Sequence, residues 1–406
     1  MAYPAQAQDA DYPQVALHPL TFVEEGDQVI IGRPDIDSFA VFPADAAAVV
    51  QRLRTGAEPA SVAAWYEETY GEPADIDDFI ETLRDLGFVR SDAADQAETA
   101  AQLPVRWQRL GVALFSAPAL TLYALAVAAA VYLMVTIPAL SPAPSKVFFT
   151  KSLLIVLTTT TTVQLIGIFW HEGFHVLAGR RLGLPSKLSA SRRLNFIVIQ
   201  TTMTGLMGVP SRKRILPFLA GLIADAILIT FLIALAEAGR LAGWPALTGR
   251  VAVALVYVTI LRMLWQAMIF LETDLYHVFA SAVRCPDLHR MTRSYLRDQL
   301  GRLRGRAVMD PAKAGWTARD LRAVRWYAPF VVAGSLAILV VVAVSTIPVL
   351  TGFAVRTYHG VVTGGFASPG FWDSLVAGAA ILSQFAILAA VAIRDRRRRL
   401  NTAGSA

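Results

Sequence analysis

The chain has 406 residues, of which 55% are hydrophobic and only 17% charged, with a mean hydropathy of +0.48; this is too apolar for an average soluble protein. The net charge of +6 hides an uneven split: residues 1–100 carry 20 acidic and 5 basic residues, the remaining 306 carry 11 and 32. An acidic head of this kind disfavours phosphate contacts, so no nucleic-acid partner is expected, and the single cysteine, Cys285, excludes an intramolecular disulfide.

Met1–Gln14 is polar and acidic, without the basic and apolar regions of a signal peptide, and is not expected to be cleaved as one. Residues 15–92 then read as a small α+β unit. Leu20–Val23 and Gln28–Ile31 flank Glu24-Glu25-Gly26-Asp27 as a hairpin, and Ser38–Phe42 is a third β-type run. Helices are expected over Asp45–Leu53, Ser61–Tyr70 and Asp75–Leu86, where Ile76, Phe79, Ile80, Leu83 and Leu86 recur at helical spacing and Gly87 supplies a stop. Phe88-Val89 is expected to add a last strand, giving a winged-helix-like unit. A polar linker, Asp92–Gln102, closes this first domain at about residue 100, and 101–406 reads as a membrane domain.

A helix needs about 20 apolar residues to cross the hydrocarbon core, and six stretches qualify: 111–137, 152–176, 216–237, 251–273, 328–350 and 373–393. Asn195–Val209 is apolar but short and β-branched, so it reads as a re-entrant or interfacial hairpin. With the N-terminus inside, the cytoplasmic segments hold 26 Lys and Arg and the outside loops only five: Lys146, Lys151, Arg240, Arg250 and Arg356. This bias predicts a multi-pass protein of the cell membrane, solvated by the lipid bilayer, with both termini cytoplasmic.

The second span ends in His171-Glu172-Gly173-Phe174-His175. Four residues is about one helical turn, so both imidazoles project from one face toward a shared point, and neutral imidazole is a good zinc ligand. Glu172 between them is placed as a general base toward a water polarised by the metal. A third ligand must come from elsewhere, because Gly179 stands one position late for the metzincin extension and Arg181 occupies the place of its last His. The expected topology brings Glu272-Thr273-Asp274-Leu275-Tyr276-His277, at the end of the fourth span, to the same membrane depth. Asp274, Glu272 and His277 are each chemically able to bind zinc. Asp225 and Arg262 lie inside the third and fourth spans and are expected to pair, since a lone intramembrane charge is costly. The Thr158–Thr162 run is expected to bond back to its own helix.

The two His, the Glu and an Asp at the end of a later span resemble the site-2 protease family of intramembrane zinc metallopeptidases, over residues 150–280. The resemblance implies a mainly α membrane protein with a metalloprotease core, Zn2+ held by His171, His175 and Asp274, Glu172 as the catalytic base, and a membrane-embedded β-element at 194–209. Leu275 departs from the Gly that usually follows the family's Asp, and the Asp-x-Tyr arrangement is closer to the branch associated with ribosomal peptide maturation. The order of elements from Leu17-His18-Pro19 through Phe39–Pro43 to Asp78-Phe79 and Leu86–Val89 similarly resembles a PqqD-like peptide-recognition domain. In such domains a leader peptide adds as a strand beside the third strand and packs on the last helix; carried onto this chain, that implies Phe39, Val41, Phe79 and Leu83 as peptide-binding residues.

The function expected is that of a zinc metalloendopeptidase cleaving a peptide on the cytoplasmic side, removing the leader of a ribosomally made precursor. Regulated intramembrane proteolysis of a membrane-anchored regulator, and a non-enzymatic peptide-binding adaptor or exporter component, are the alternatives. The orientation is tested by reporters: one fused at Ala406 or inserted near Gly305 should be cytoplasmic, one near Gly243 or Gly364 external, and external accessibility of the 284–325 segment would overturn the topology.

Overall fold

In a computed structural model of the chain, the described residues are 15–26, 28–90, 105–193, 196–266, 273–283, 285, 288–305, 316 and 318–403. The chain is mainly helical and divides into two compact units: one of residues 1–106, 182–185 and 203–214, the other of 107–181, 186–202 and 215–406. The expected linker falls outside the described residues.

In the first unit, β1 (Thr21–Glu25), β2 (Gln28–Arg33) and β3 (Ser38–Pro43) form an antiparallel sheet in the order β1-β2-β3. Val23 faces Ile30 across the first pair and Val29 faces Phe42 across the second. Helices α1 (Ala44–Arg54), α2 (Pro59–Tyr70) and α3 (Ile76–Asp85) follow. α2 starts two residues earlier than expected, at Pro59, because a proline is well suited to the first helical position, where its missing N–H costs nothing. The Asp75 side chain caps α3 by accepting from the Asp78 amide at 3.0 Å, and Gly87, in the left-handed region at φ 73°, ends it. Ile31, Phe42, Val50, Leu53, Val62, Ile80, Leu83 and Phe88 make the core. The expected strand at Phe88-Val89 is reduced to one antiparallel bridge, between Val89 and Leu17.

Residues 203–214 complete this unit. The Gly205 amide donates to Asp37 at 2.8 Å, and the buried Glu25 carboxylate accepts from the Ser211 amide at 3.0 Å and from Arg214 at 3.3 Å.

The second unit holds α4 (Gln108–Leu114), α5 (Ala117–Thr136), α6 (Leu153–Arg181), the strands β4 (Ser186–Arg193) and β5 (Phe196–Met203), and α7 (Ser211–Leu241), which spans the boundary between the two units. α8 (Ala246–Gln266), α9 (Asp274–Val283), α10 (Leu288–Leu303), α11 (Ala318–Val341), α12 (Ile347–Thr363) and α13 (Pro369–Ala403) follow. Among the described residues, six helical stretches are long and apolar enough to cross a bilayer: Ala117–Thr136, Leu153–Arg181, Ser211–Leu241, Ala246–Gln266, Ala318–Thr363 and Pro369–Val391. They point to a multi-pass membrane protein. Exposed Leu122 and Leu125 on α5, and Leu336 and Leu339 on α11, are what lipid rather than water would solvate. Ile229, Ile233, Val253 and Val256 pack α7 against α8.

Two expectations are corrected. The hairpin expected from Asn195 is a pair of strands that starts earlier, at Ser186, so Lys187, Arg192 and Arg193 belong to β4 rather than to a loop. The helix that carries the fifth span does not stop near residue 350: α11, a π-turn at Val342–Thr346 and α12 run on to Thr363. Its 46 residues measure about 69 Å, over twice the roughly 30 Å hydrocarbon core. Pro348 lacks the N–H for a regular helical bond, and the wider π-turn just before it absorbs that loss. Arg356, expected in a loop, lies in α12 with its guanidinium 3.8 Å over the Phe148 ring.

Leu83 is fully enclosed in the first unit's core, so Leu83→Ala should destabilise that unit by about 2–5 kcal/mol. Limited proteolysis of the full chain should show faster cutting within residues 1–106, and an unchanged rate would contradict the core assignment.

Candidate metal centre

Side chains from two helices far apart in sequence converge inside the second unit. His171 and His175, one turn apart near the end of α6, are 5% and 4% exposed, and Asp274 begins α9 with its side chain 24% exposed. Asp274 Oδ2 lies 3.1 Å from His171 Nε2 and 3.2 Å from His175 Nε2, and the two Nε2 atoms are 3.2 Å apart. The other ring nitrogens face outward onto α7: His175 Nδ1 donates to the Pro217 carbonyl at 2.7 Å, and His171 Nδ1 lies 3.1 Å from Asp225 Oδ2.

These outer contacts decide the chemistry of the centre. A carbonyl only accepts, so neutral His175 carries its proton on Nδ1, and the carboxylate imposes the same tautomer on His171. Both Nε2 lone pairs then point at Asp274. Two lone pairs and an anionic oxygen within 3.2 Å of one another repel unless a cation sits among them. Two ligands of one zinc, each about 2.0–2.1 Å from it at tetrahedral angles, are themselves about 3.3 Å apart. The three atoms therefore fit a shared metal ion.

The space is provided by α7. A Cβ on Gly221 would stand 2.2 Å from His171 Nε2 and 2.4 Å from His175 Nε2, so only glycine leaves the ring nitrogens clear. Pro217 and Gly221 lie one turn apart on α7, the first gripping a ring from behind and the second vacating the volume in front. Trp170 donates from its indole to the Ala224 carbonyl at 2.9 Å and holds α6 against the same helix.

Glu172 is set by the β-hairpin. Thr201 on β5 places its hydroxyl 2.8 Å from Glu172 Oε2 and 2.9 Å from the Glu172 carbonyl. Of the other candidates for third ligand, Glu272 lies outside the described residues. His277 stacks its ring on Phe218 at 5.1 Å and is not a member of the cluster.

The residues assigned to peptide binding fare differently. Val41 is exposed on β3, which pairs only with β2 among the described residues, so its outer edge is open to another strand. Phe39 is half-buried beside Gly32 and Gly208, and Phe79 is half-buried edge-on to Phe42 at 5.9 Å. Leu83 is corrected: it points into the core and offers no surface to a ligand. Asp77, Asp78, Glu81 and Asp85 give α3 an exposed acidic face.

Gly221, Thr201 and the Pro217 carbonyl are absent from the sequence-based assignment, because a missing Cβ, a strand hydroxyl and a backbone oxygen carry no motif. The expected Asp225–Arg262 pair is present at 2.6 Å, and the Thr158 and Thr160 hydroxyls bond back to Leu154 and Val156 at 2.7 Å. No family model, curated protein or solved structure matches this chain.

His171→Ala, His175→Ala and Asp274→Ala should each sharply reduce the zinc that the purified protein takes up. Gly221→Ala should do the same with helix content unchanged, since Ala favours the helix by about 1 kcal/mol over Gly. Elemental analysis decides it, and full zinc in Gly221→Ala would contradict this geometry.

Proposed function

We propose that this protein is a membrane-embedded zinc endopeptidase of the site-2 protease type, and that it removes the leader from a ribosomally made precursor on the cytoplasmic side. The observation that carries the reading is the convergence of His171 Nε2, His175 Nε2 and Asp274 Oδ2 at one mostly buried point between α6, α7 and α9, with Glu172 next to His171 in the sequence. Three protein ligands of N, N and O type is the count of a catalytic zinc site, which keeps a position open, rather than of a closed structural one. When bound, zinc lowers the pKa of water to about 7 and polarises a carbonyl.

The chain's own residues supply the rest. His171 and His175 hold their ring orientation through α7, so the ligands need not reorganise during turnover. Glu172 takes the proton from the attacking water and returns it to the leaving amine, its carboxylate oriented by Thr201. The first unit, read as a winged-helix-like, PqqD-like domain, takes the leader as an added strand on the edge of β3 beside Phe39 and Val41, with Phe79 on α3 and the acidic face of α3 favouring basic leader residues. The concentration of basic residues in the segments assigned to the cytoplasm supports the orientation.

Glu172→Gln should retain one equivalent of zinc yet hydrolyse the precursor about 10²–10⁴-fold more slowly, because a general base is lost while the ligands remain. Precursor cleavage followed by mass spectrometry, with zinc content measured in parallel, decides it. Equal rates in Glu172→Gln and the parent would sink the peptidase reading.

A further inference from the structure

The buried carboxylate behind His171 has a role that an ion pair alone does not explain. Asp225, on α7, is fully buried. Its Oδ1 accepts from Arg262 Nη2 at 2.6 Å, while its Oδ2 lies 3.1 Å from His171 Nδ1 and 3.4 Å from Arg262 Nε. Arg262 is itself held: its Nη1 donates to Gln164 Oε1 at 2.9 Å, and the Gln164 amide reaches Thr259 at 3.3 Å. Access for the guanidinium is cut into α6, since a Cβ on Gly167 would stand 2.3 Å from Arg262 Nη1. Gly167 is one turn before His171 on the same helix. The polar chain Thr259–Gln164–Arg262–Asp225 thus ends at a ring nitrogen of the candidate metal centre.

We propose that Asp225 is a positioning residue for that centre: it fixes His171 as the Nδ1–H tautomer so that Nε2 presents a lone pair beside His175 and Asp274, and Arg262 holds the Asp225 carboxylate in the orientation that faces the ring. This rests on reading the centre as a metal site. The physical reason lies in how differently the two histidines are served. His175 is oriented by the Pro217 carbonyl, an acceptor that can never become a donor. His171 relies on a side chain, which could rotate away from the ring if nothing else held it. Arg262 removes that alternative. A pair serving only to join α7 to α8 would have no need to place one carboxylate oxygen on the imidazole.

Asp225→Asn, alone and combined with Arg262→Met, separates the two roles. Asn is nearly isosteric, but with its oxygen kept on Arg262 its amide would donate toward His171 Nδ1 and impose the Nε2–H tautomer, the fault a His-orienting Asp→Asn change produces in a catalytic triad. In the purified full chain, zinc affinity by competition with a chromophoric chelator should fall about 10- to 100-fold. The visible spectrum of the cobalt(II)-loaded variant should shift, and the thermal unfolding temperature should fall, because Arg262 loses its buried counter-charge. Asp225→Asn/Arg262→Met, which removes both charges together, should also bind zinc weakly while unfolding like the parent. Independently of any variant, ¹⁵N-histidine shifts of the unaltered protein should report His171 as Nδ1–H. Parental zinc affinity in either variant, or an Nε2–H His171 in the parent, overturns the positioning role and leaves the metal reading standing; a parent that binds no zinc overturns the metal reading and this proposal with it.

Discussion

Two buried imidazoles four residues apart can be useful only if something decides which way their protons point. Here that decision is made by α7, which gives His175 a backbone carbonyl and His171 a carboxylate. Once both Nδ1 protons are committed outward, the Nε2 lone pairs have to face inward, and Asp274 adds a carboxylate oxygen at 3.1–3.2 Å. The rest of the unit is arranged around that geometry. Gly221 keeps α7 from filling the space, Trp170 fixes the distance between α6 and α7, and Thr201 orients Glu172 from the hairpin.

The apolar surroundings make these polar contacts consequential. Water that could replace a lost partner is scarce among membrane-spanning helices, so each buried polar group depends on the one the fold provides. Thr158 and Thr160 return their hydroxyls to their own helix, and Ser152 together with the Leu153 and Leu154 amides at the start of α6 is met by Asp373. The Asp225–Arg262 pair belongs to the same economy, with a difference: breaking a buried pair by removing one partner costs about 3–5 kcal/mol, and this pair additionally touches the site.

The first unit is built on different physics. Its sheet and helices bury an ordinary aliphatic and aromatic core, while its outer surface is acidic. Glu25, buried with Ser211 and Arg214, is an exception within it, an internal charge matched by a cation and a helix-starting amide. The open edge of β3 is the feature that a strand-forming ligand could use, because an edge strand presents unpaired N–H and C=O groups.

Much of this was determined by sequence alone, wherever the signal is periodic or compositional. Twenty apolar residues in a row have few alternatives to a helix in lipid, and six such stretches were legible. Ile76, Ile80 and Leu83 at helical spacing define α3 and its buried face. The i, i+4 histidines had to share a side of α6. The tertiary structure decided what depends on groups distant along the chain. That Asp274 rather than His277 meets the histidines follows from the turn of α9, which sends His277 onto Phe218 instead. That Leu83 faces inward and cannot touch a ligand follows from the packing of α3 on the sheet, because an apolar helix residue serves a core and a groove equally well until the neighbours are in place. The run of helix past residue 350 turns on a π-turn beside Pro348, which a count of apolar residues cannot register. Gly221 and the Pro217 carbonyl are the extreme case: one contributes a missing atom and the other a backbone oxygen, and neither acquires meaning until α6 lies against α7.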